Sequence, residues 1–152
     1  MLNKTTVVGI QSLLFIALAE SKDPIPLDTI AERLGASPQY LAKIHTQLAK
    51  AGILETHRGK HGGVTLARKP AGITLLEIVE ACQGRILGDY CQPHDDVKVV
   101  CGFHVAMHDL QNAVVGALQG RTLADLWNKP QPDAALRPLV ECRMACVMKA
   151  EE

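Results

Sequence analysis

The sequence predicts a mainly α-helical fold with one small β-hairpin, and three observations carry this prediction. Residues 27–34 and 38–51 each place apolar side chains at helical spacing. A tight turn containing Gly35 separates these two segments. Two short β-prone runs, residues 53–56 and 63–66, then enclose a glycine-rich basic tip. Helix, turn, helix and hairpin in this order are typical of a winged helix-turn-helix, which places one helix in the DNA major groove and the hairpin, its wing, near the backbone or minor groove.

The two helices have clear end signals. The first ends before Gly35, because a glycine readily takes the left-handed conformation that often follows a helix. Ser37 followed by Pro38 predicts the start of the second helix, since a serine side chain caps free N–H groups and proline fits the first helical turn. Gly52 ends this second helix. Its predicted buried stripe consists of Leu41, Ile44, Leu48 and Ala51.

The opposite face of the second helix carries polar side chains suited to phosphates or base edges. Its predicted DNA-binding residues are Ser37, Gln39, Tyr40, Lys43 and Gln47. The wing tip adds a second set, Arg58, Gly59, Lys60 and Gly62, in which glycines permit positive φ and a close approach to DNA. The alternative is a small helical domain with a basic loop. Caps, turn, spacing and hairpin agree with one another, and this agreement favours DNA binding.

Further elements flank this region on both sides. Residues 7–19 form a mostly apolar helix that we expect to be buried under the wing. Thr74 and Glu77 make a capping box that opens a helix ending at Ala81. Residues 102–118 form a long amphipathic helix, and a last short helix follows at residues 123–127. The segment between residues 83 and 100 has no clear periodicity and is predicted to be a loop.

Charge is distributed unevenly, although the formal net charge of the 152-residue chain is zero. Residues 1–70 hold nine Lys and Arg against five Asp and Glu, a net charge of +4. Residues 71–152 hold seven against eleven, a net charge of −4. The positive half is the half assigned to DNA, and two subunits would add their patches. Binding should therefore depend on salt concentration.

Five segments together resemble one known family: SPQYLAKI, KAGIL, RGKHGGVTLAR, ITLLEIVEAC and TLADLW. The wing pattern RGxxGGxxLA is specific when it occurs with TLADL. On these residues the chain, from about residue 2 to residue 127, resembles the Rrf2 family of bacterial transcription regulators, of the IscR, NsrR and CymR type. The resemblance implies a regulator, expected to be a repressor, that forms a homodimer through one long helix and binds double-stranded DNA at an inverted-repeat operator.

The resemblance also implies an organisation into four regions. Residues 1–81 would be the winged helix-turn-helix domain, and residues 82–101 a sensor loop. Residues 102–127 would be the dimerisation helix with the short helix that follows it. Residues 128–152 contain three prolines and are expected to form an irregular C-terminal tail.

The chain has five cysteines, and two of them fall where cluster-binding family members place their ligands. Cys91 matches the first and Cys101 the last of three cysteines in those members, whereas the middle cysteine is missing here. His104 follows one helical turn after Cys101 and matches the histidine ligand of the IscR branch. The resemblance thus implies an iron–sulfur cluster, of the 2Fe–2S type, held by Cys91, Cys101 and His104. The fourth ligand is left open among His94, Asp95 and Asp96.

Two alternatives remain open for the switch. Cys91 and Cys101 could act as a metal-free thiol pair, because a thiolate at a helix N-terminus has a lowered pKa and reacts readily with oxidants. A docked partner protein could instead control the regulator, as in the CymR branch. Cys142 and Cys146 share a helical spacing and are a less favoured redox pair. Cys82 falls in an apolar helical stripe and is expected to be a core residue.

Other classes of protein are disfavoured by the sequence. No nucleophile motif, phosphate-binding loop or paired-carboxylate pattern is present, so we do not expect an enzyme. No run of 18 or more apolar residues occurs, and the N-terminus lacks a charged, cleavable signal, so no membrane association is expected. These two observations predict a cytoplasmic protein, in which the cysteines are not expected to form structural disulfides.

Overall fold

The computed structural model describes residues 2–59, 62–86 and 100–126, together with Met144 and Val147. Within these residues it is mostly helical, with a single two-stranded antiparallel sheet. The helices are α1 (Lys4–Leu18), α2 (Leu27–Leu34), α3 (Pro38–Lys50), α4 (Leu75–Gln83) and α5 (Gly102–Gln119), and the strands are β1 (Leu54–His57) and β2 (Gly63–Leu66). The predicted mainly helical winged fold is confirmed.

Helix α1 lies at the centre of the domain, packing against α2, α3, α4 and β2. It begins at Lys4, earlier than the predicted start at residue 7. The reason is a cap, because the Asn3 side chain accepts a hydrogen bond from the Thr6 backbone N–H at 2.8 Å. Leu13 and Leu14 are fully buried. The helix therefore supports the whole winged domain and not the wing alone.

The helix-turn-helix has the predicted boundaries except at the end of α3, which stops at Lys50, one residue early. Gly35 ends α2 with φ of 60°, and Ser37 caps α3 with Pro38 in its first turn. Gly52 has φ of 68°, and the N–H groups of Gly52 and Ile53 each donate at 3.0 Å to carbonyls of the last helical turn. This paired arrangement satisfies free carbonyls at the end of the helix.

One residue of the predicted buried stripe of α3 is wrong. Ala51 is exposed, because the helix ends at Lys50 and Ala51 follows as its C-terminal cap. The buried residues of α3 are instead Leu41, Ile44, His45 and Leu48.

The wing is a regular hairpin with an extra contact at its base. Its register pairs Leu54 with Leu66 and His57 with Gly63. Ile25, between α1 and α2, exchanges two backbone hydrogen bonds of 3.0 Å with Val64. The loop between α1 and α2 thereby extends the sheet of the wing.

The end of the long helix returns to the winged domain. Helix α4 begins with the predicted capping box at Thr74 and runs to Gln83, two residues beyond the expected end. After α5, Thr122 forms an antiparallel bridge with Thr74, and Leu123 is fully buried. The predicted helix over residues 123–127 is a single 3-10 turn at Ala124–Leu126. This turn docks against the residues that precede α4.

The hydrophobic core joins the helices of the winged domain with Leu123 and Val147. From the predicted irregular tail, the structure describes Met144 and Val147, and Val147 is helical and buried. These two residues belong to the packed domain, which the sequence did not indicate. Among the described residues, none of the helices combines the length and apolar character that crossing a bilayer requires.

Candidate DNA-binding surface and sensor segment

The exposed face of α3 is polar and follows the helical repeat. Gln39, Lys43 and Gln47 are all exposed, and their spacing of four residues aligns them along one side of the helix. Ser37 is also exposed, but its hydroxyl accepts the Tyr40 backbone N–H at 3.3 Å. Its role in the structure is therefore the N-terminal cap, which leaves Gln39, Lys43 and Gln47 as the side chains facing outward.

Tyr40 occupies a different environment from its neighbours on the helix. Its side chain is half-buried and packs against the core. Its hydroxyl lies 3.1 Å from the Thr5 hydroxyl on α1. The sequence grouped Tyr40 with the DNA contacts, and the structure gives it in addition a contact that joins α3 to α1.

The wing tip is shaped by glycines in two distinct ways. Gly59 has φ of 102°, which favours glycine. Gly62 is needed for space, because a Cβ there would lie 2.6 Å from the His57 carbonyl oxygen. Arg58 and Gly59 are exposed, whereas Lys60 lies outside the described residues. The glycines thus serve the turn itself, and Arg58 is the cationic side chain that the described part of the tip presents.

The base of the wing is held by a close backbone approach. A Cβ on Gly63 would collide with the Ile25 carbonyl group. Beside it, His57 Nε2 and Thr65 Oγ1 form a cross-strand hydrogen bond of 2.9 Å. These contacts fix the direction in which the hairpin leaves the domain.

Two of the predicted cluster ligands lie in the described residues: the exposed thiol of Cys101 and the buried imidazole of His104. Cys101 is the N-terminal cap residue of α5 and is exposed. His104, one helical turn further, is 4% exposed. Within the described residues, no group of three or more His, Cys, Asp or Glu side chains is positioned to hold a metal ion. The other predicted ligands and redox residues lie outside the described residues: Cys91, His94, Asp95, Asp96, Cys142 and Cys146.

Two cysteines of the described structure differ sharply in chemistry. Cys82 is 5% exposed, and burial raises the pKa of its thiol to about 11. Its expected role as a core residue is confirmed. Cys101, by contrast, is free and exposed to solvent at the N-terminal cap of α5. Of these two thiols, Cys101 is the one suited to redox or ligand chemistry.

The long helix presents a largely uncovered apolar surface. Phe103 is 62% exposed and Leu110 is 48% exposed, although both are large hydrophobic residues. Val114, Val115 and Leu118 are partly exposed on the same helix. An uncovered apolar stripe of this length is typical of a helix that packs against a partner.

A buried polar pair connects α1 with α3, and the sequence analysis did not detect it. Ser12 Oγ and His45 Nε2 lie 2.6 Å apart, and both residues are almost fully buried. Desolvation lowers the pKa of His45 from its ordinary 6.5 to about 4. The only signal in the sequence was the position of His45, one residue after Ile44 in the buried stripe. The pair is structural, because it faces the core and not the exposed surface of α3.

A capped α3 with an exposed polar face and a wing beside it defines a DNA-binding regulator of the winged helix-turn-helix class. The model of the Rrf2 family, described as iron-dependent transcriptional regulator, matches residues 2–129. The chain belongs to this family. The relatives that it resembles are transcription regulators and not enzymes.

Three relatives illustrate the similarity. The transcriptional regulator NsrR of Geobacillus kaustophilus is 31% identical over 146 residues, covering 93% of this chain and 97% of that protein. The structure of IscR from T. potens has a TM-score of 0.67 at 26% identity, covering 86% of this chain and 93% of that one. The structure of CymR, the global cysteine regulator of B. subtilis, has a TM-score of 0.69 at 23% identity, covering 86% and 98%. This last likeness concerns the fold alone.

Proposed function

We propose that this protein is a homodimeric repressor that binds an inverted-repeat operator in the cytoplasm. Its operator affinity would be set by an iron–sulfur cluster or by the redox state of Cys91 and Cys101. One observation carries the proposal: the exposed Cys101 lies at the N-terminal cap of α5, the helix on which the large apolar side chains of Phe103 and Leu110 are exposed. A chemical event at this position can therefore alter how two subunits are joined.

The DNA contacts in this proposal come from two elements. Gln39, Tyr40, Lys43 and Gln47 would lie in the major groove, with the Ser37 cap holding the start of the helix. Arg58, Gly59, Lys60 and Gly62 would form the wing contact. The exposure of Gln39, Lys43 and Arg58 supports this assignment.

The dimer would form along α5. Burial of Phe103 and Leu110 against the same residues of a second copy would remove the largest exposed apolar side chains of this helix from water. Two-fold symmetry in the protein then predicts two-fold symmetry in the operator, with half-sites spaced by the helical repeat of DNA.

The donors present fit a 2Fe–2S cluster in chemical type. Cys91 and Cys101 supply thiolates, and His104 supplies an imidazole, which are the ligands such clusters accept. His94, Asp95 or Asp96 would complete the set. A cluster bound there supplies reversible one-electron chemistry and ligand bonds sensitive to oxidants. The family description as iron-dependent supports this form of the switch.

A metal-free thiol switch is the second candidate, and the free, exposed Cys101 favours it. In this form the two thiols lose their protons to solvent and two electrons to an oxidant, and a disulfide then joins Cys91 to Cys101.

Anaerobic purification with iron, sulfide and visible absorption measurements separates the two forms. A cluster predicts stoichiometric iron and sulfide and a band between roughly 320 and 600 nm that His104→Ala weakens. A thiol switch predicts neither, but a mass loss of about two protons on oxidation that Cys101→Ser abolishes. If Cys91→Ser and Cys101→Ser both respond to the signal as the parent does, the sensor site is wrong in both forms.

The wing assignment is tested by the salt dependence of operator binding. Arg58→Ala removes one phosphate contact, so the slope of log K against log salt should fall by about one. Lys22→Ala is the matched control, because Lys22 is an exposed cation in the loop before α2. An unchanged slope for Arg58→Ala would remove the wing from the DNA interface.

A further inference from the structure

Arg68 follows the wing, and its guanidinium group bonds to three separate parts of the chain. Its Nη2 donates to Glu77 Oε1 at 2.9 Å, and its Nη1 donates to the Gly72 carbonyl at 3.0 Å. Its Nε donates to the Gly52 carbonyl at 3.4 Å. Because a guanidinium is planar and rigid, three bonds in three directions set the relative positions of the acceptors.

The Gly52 carbonyl, one of these acceptors, lies at the end of α3, the proposed recognition helix. Gly52 is the left-handed residue that closes this helix, and its own N–H donates to the Ala49 carbonyl at 3.0 Å. A bond from Arg68 to the Gly52 carbonyl therefore acts on the point where α3 ends and the wing begins.

The Glu77 carboxylate, another of these acceptors, connects Arg68 toward α5, the proposed dimer helix. Glu77 uses its other oxygen, Oε2, to accept the backbone N–H and the hydroxyl of Thr74, both at 2.9 Å. The Thr74 backbone N–H, with help from Arg68, holds the pKa of Glu77 below its ordinary value. Glu77 is therefore a carboxylate shared between Arg68 and the capping box of α4.

Thr74 is in turn bridged to the segment that follows α5. The Leu75 N–H donates to the Arg121 carbonyl at 2.8 Å, and the Leu123 N–H donates to the Ile73 carbonyl at 2.8 Å. The Leu123 side chain is fully buried in the hydrophobic core. Hydrogen bonds thus connect Gly52 through Arg68 and Glu77 to Thr74. The residues on either side of Thr74 bond in turn to the segment that directly follows α5.

We propose that Arg68 is a positioning residue for operator recognition: with Glu77 it fixes the recognition helix relative to the dimer helix, and so sets the half-site spacing that the dimer accepts. The inference rests on the proposed homodimer and inverted-repeat operator. Arg68 is basic and adjoins the wing, so a phosphate contact is the competing role. Its three donors are directed to protein acceptors, which favours positioning.

The side chains of Arg68 and Glu77 are 40% and 41% exposed. Such a pair contributes little to global stability. Its loss should therefore leave a folded dimer in which the angle between α3 and α5 is less restricted. Spacing discrimination, and not affinity for one half-site, is the property that should change.

The test uses operators selected in vitro from random DNA, with the spacer between half-sites kept, lengthened or shortened by one base pair. One base pair rotates a half-site by roughly 34° about the DNA axis. The wild-type dimer should discriminate against both altered spacers. In Arg68→Ala the discrimination should fall at least about fivefold, while affinity for an isolated half-site stays within about twofold and the salt slope is unchanged.

Glu77→Gln separates positioning from electrostatics, because the two roles predict changes in different properties of DNA binding. Removing a negative charge beside a phosphate contact would strengthen DNA binding. Under the positioning role, Glu77→Gln instead weakens spacing discrimination as Arg68→Ala does, and the double variant is no worse than either single one. Glutamine at this position preserves a capping box, so the variant should fold. Lys69→Ala, at a neighbouring exposed cation, is the control that should keep discrimination.

Three outcomes overturn the inference. A uniform loss of affinity in Arg68→Ala with a salt slope lower by about one would make Arg68 a phosphate contact. Retained spacing discrimination in both Arg68→Ala and Glu77→Gln would remove the positioning role while leaving the dimeric regulator intact. If the wild-type protein is monomeric or ignores the spacer, the proposed dimer itself fails, and the inference fails with it.

Discussion

The hydroxyl oxygens of Tyr40 and Thr5 lie 3.1 Å apart and join the first turn of α3 to the first turn of α1. The same turn of α1 also contacts the end of α4, because Gln83 Oε1 accepts the Thr6 hydroxyl at 2.8 Å and the Asn3 N–H at 3.2 Å. Gln83 is the last residue of α4 and lies at the start of the predicted sensor loop, residues 82–101. The start of α1 is thus in polar contact with α3 on one side and with the start of that predicted loop on the other.

Tyr40→Phe tests whether the tyrosine hydroxyl acts mainly within the protein. The variant loses a partly buried hydrogen bond, so the free energy of unfolding should fall by about 0.5–1.5 kcal/mol. Thr5→Val should cost a similar amount, and the double variant should cost less than the sum, as urea denaturation would measure. Additive losses would mean that the two hydroxyls do not interact. Gln39→Ala is the control, since Gln39 is exposed and its loss should leave stability nearly unchanged.

Acid should destabilise the protein through His45. The pKa of His45 is lowered by burial from 6.5 to about 4 in the folded state, whereas the unfolded chain has the ordinary value. Above pH 6.5 both states are neutral and this group adds no pH dependence. Between pH 6.5 and about 4 the unfolded state binds the proton first, so stability falls as pH falls, by up to about 3 kcal/mol, and the effect levels off below that range.

The measurement is urea denaturation of the wild type and of Ser12→Ala/His45→Leu from pH 7.5 to 4.5. The double variant removes both members of the buried pair and leaves neither hydroxyl nor imidazole unsatisfied. Its pH profile should be flatter than that of the wild type over this window. His57→Gln, at an exposed histidine of the wing, should keep the wild-type profile. Parallel profiles for the wild type and the double variant would contradict the assignment.

Gly9 is required for close packing between α1 and α4. A Cβ at Gly9 would lie 2.8 Å from Cys82 Sγ and 3.4 Å from Ile44 Cγ2, in a fully packed part of the core. Alanine normally favours a helix over glycine by about 1 kcal/mol. Here we expect Gly9→Ala to destabilise by about 1–3 kcal/mol, because overpacking outweighs that gain. Thermal and urea unfolding would check the sign.

Cys82→Ala supplies the matched test of this packing. By itself it removes a buried sulfur and should destabilise. Combined with Gly9→Ala, the new methyl group occupies space that the sulfur has left, so the double variant should be more stable than Gly9→Ala alone. If Cys82→Ala fails to relieve the Gly9→Ala defect, the sulfur is not the obstructing atom.

Thiol labelling should distinguish Cys101 from Cys82. Burial and a pKa of about 11 keep Cys82 almost fully protonated near pH 8, whereas Cys101 is exposed. In the folded, metal-free protein, iodoacetamide should label Cys101 at least about 100-fold faster than Cys82, as peptide mass spectrometry would measure. In urea the two rates should converge. Equal rates in the folded protein would mean that Cys82 is not protected by the core.

Local signals in the sequence determined the helix-turn-helix and the capping box of α4. Ser37 with Pro38, the left-handed Gly35 and Gly52, and the Thr74–Glu77 pair each act within about one helical turn. Such signals are complete in the sequence, because every atom they require belongs to the same few residues. The predicted candidates for DNA contact on α3 follow from the same helical repeat, and Gln39, Lys43 and Gln47 lie exposed as expected.

Tertiary structure decided which side chains have a second role. His45 was adjacent to the buried stripe in sequence, but its burial depends on how α3 crosses α1 at Ser12. Arg68 entered the sequence analysis only through the family motif and the charge count, whereas its acceptors are separated from it by up to 16 residues. The docking of Leu123 beside Ile73 likewise spans the whole length of α5. Contacts of this kind depend on the relative placement of elements distant in the chain, and no spacing rule within one element can express that placement.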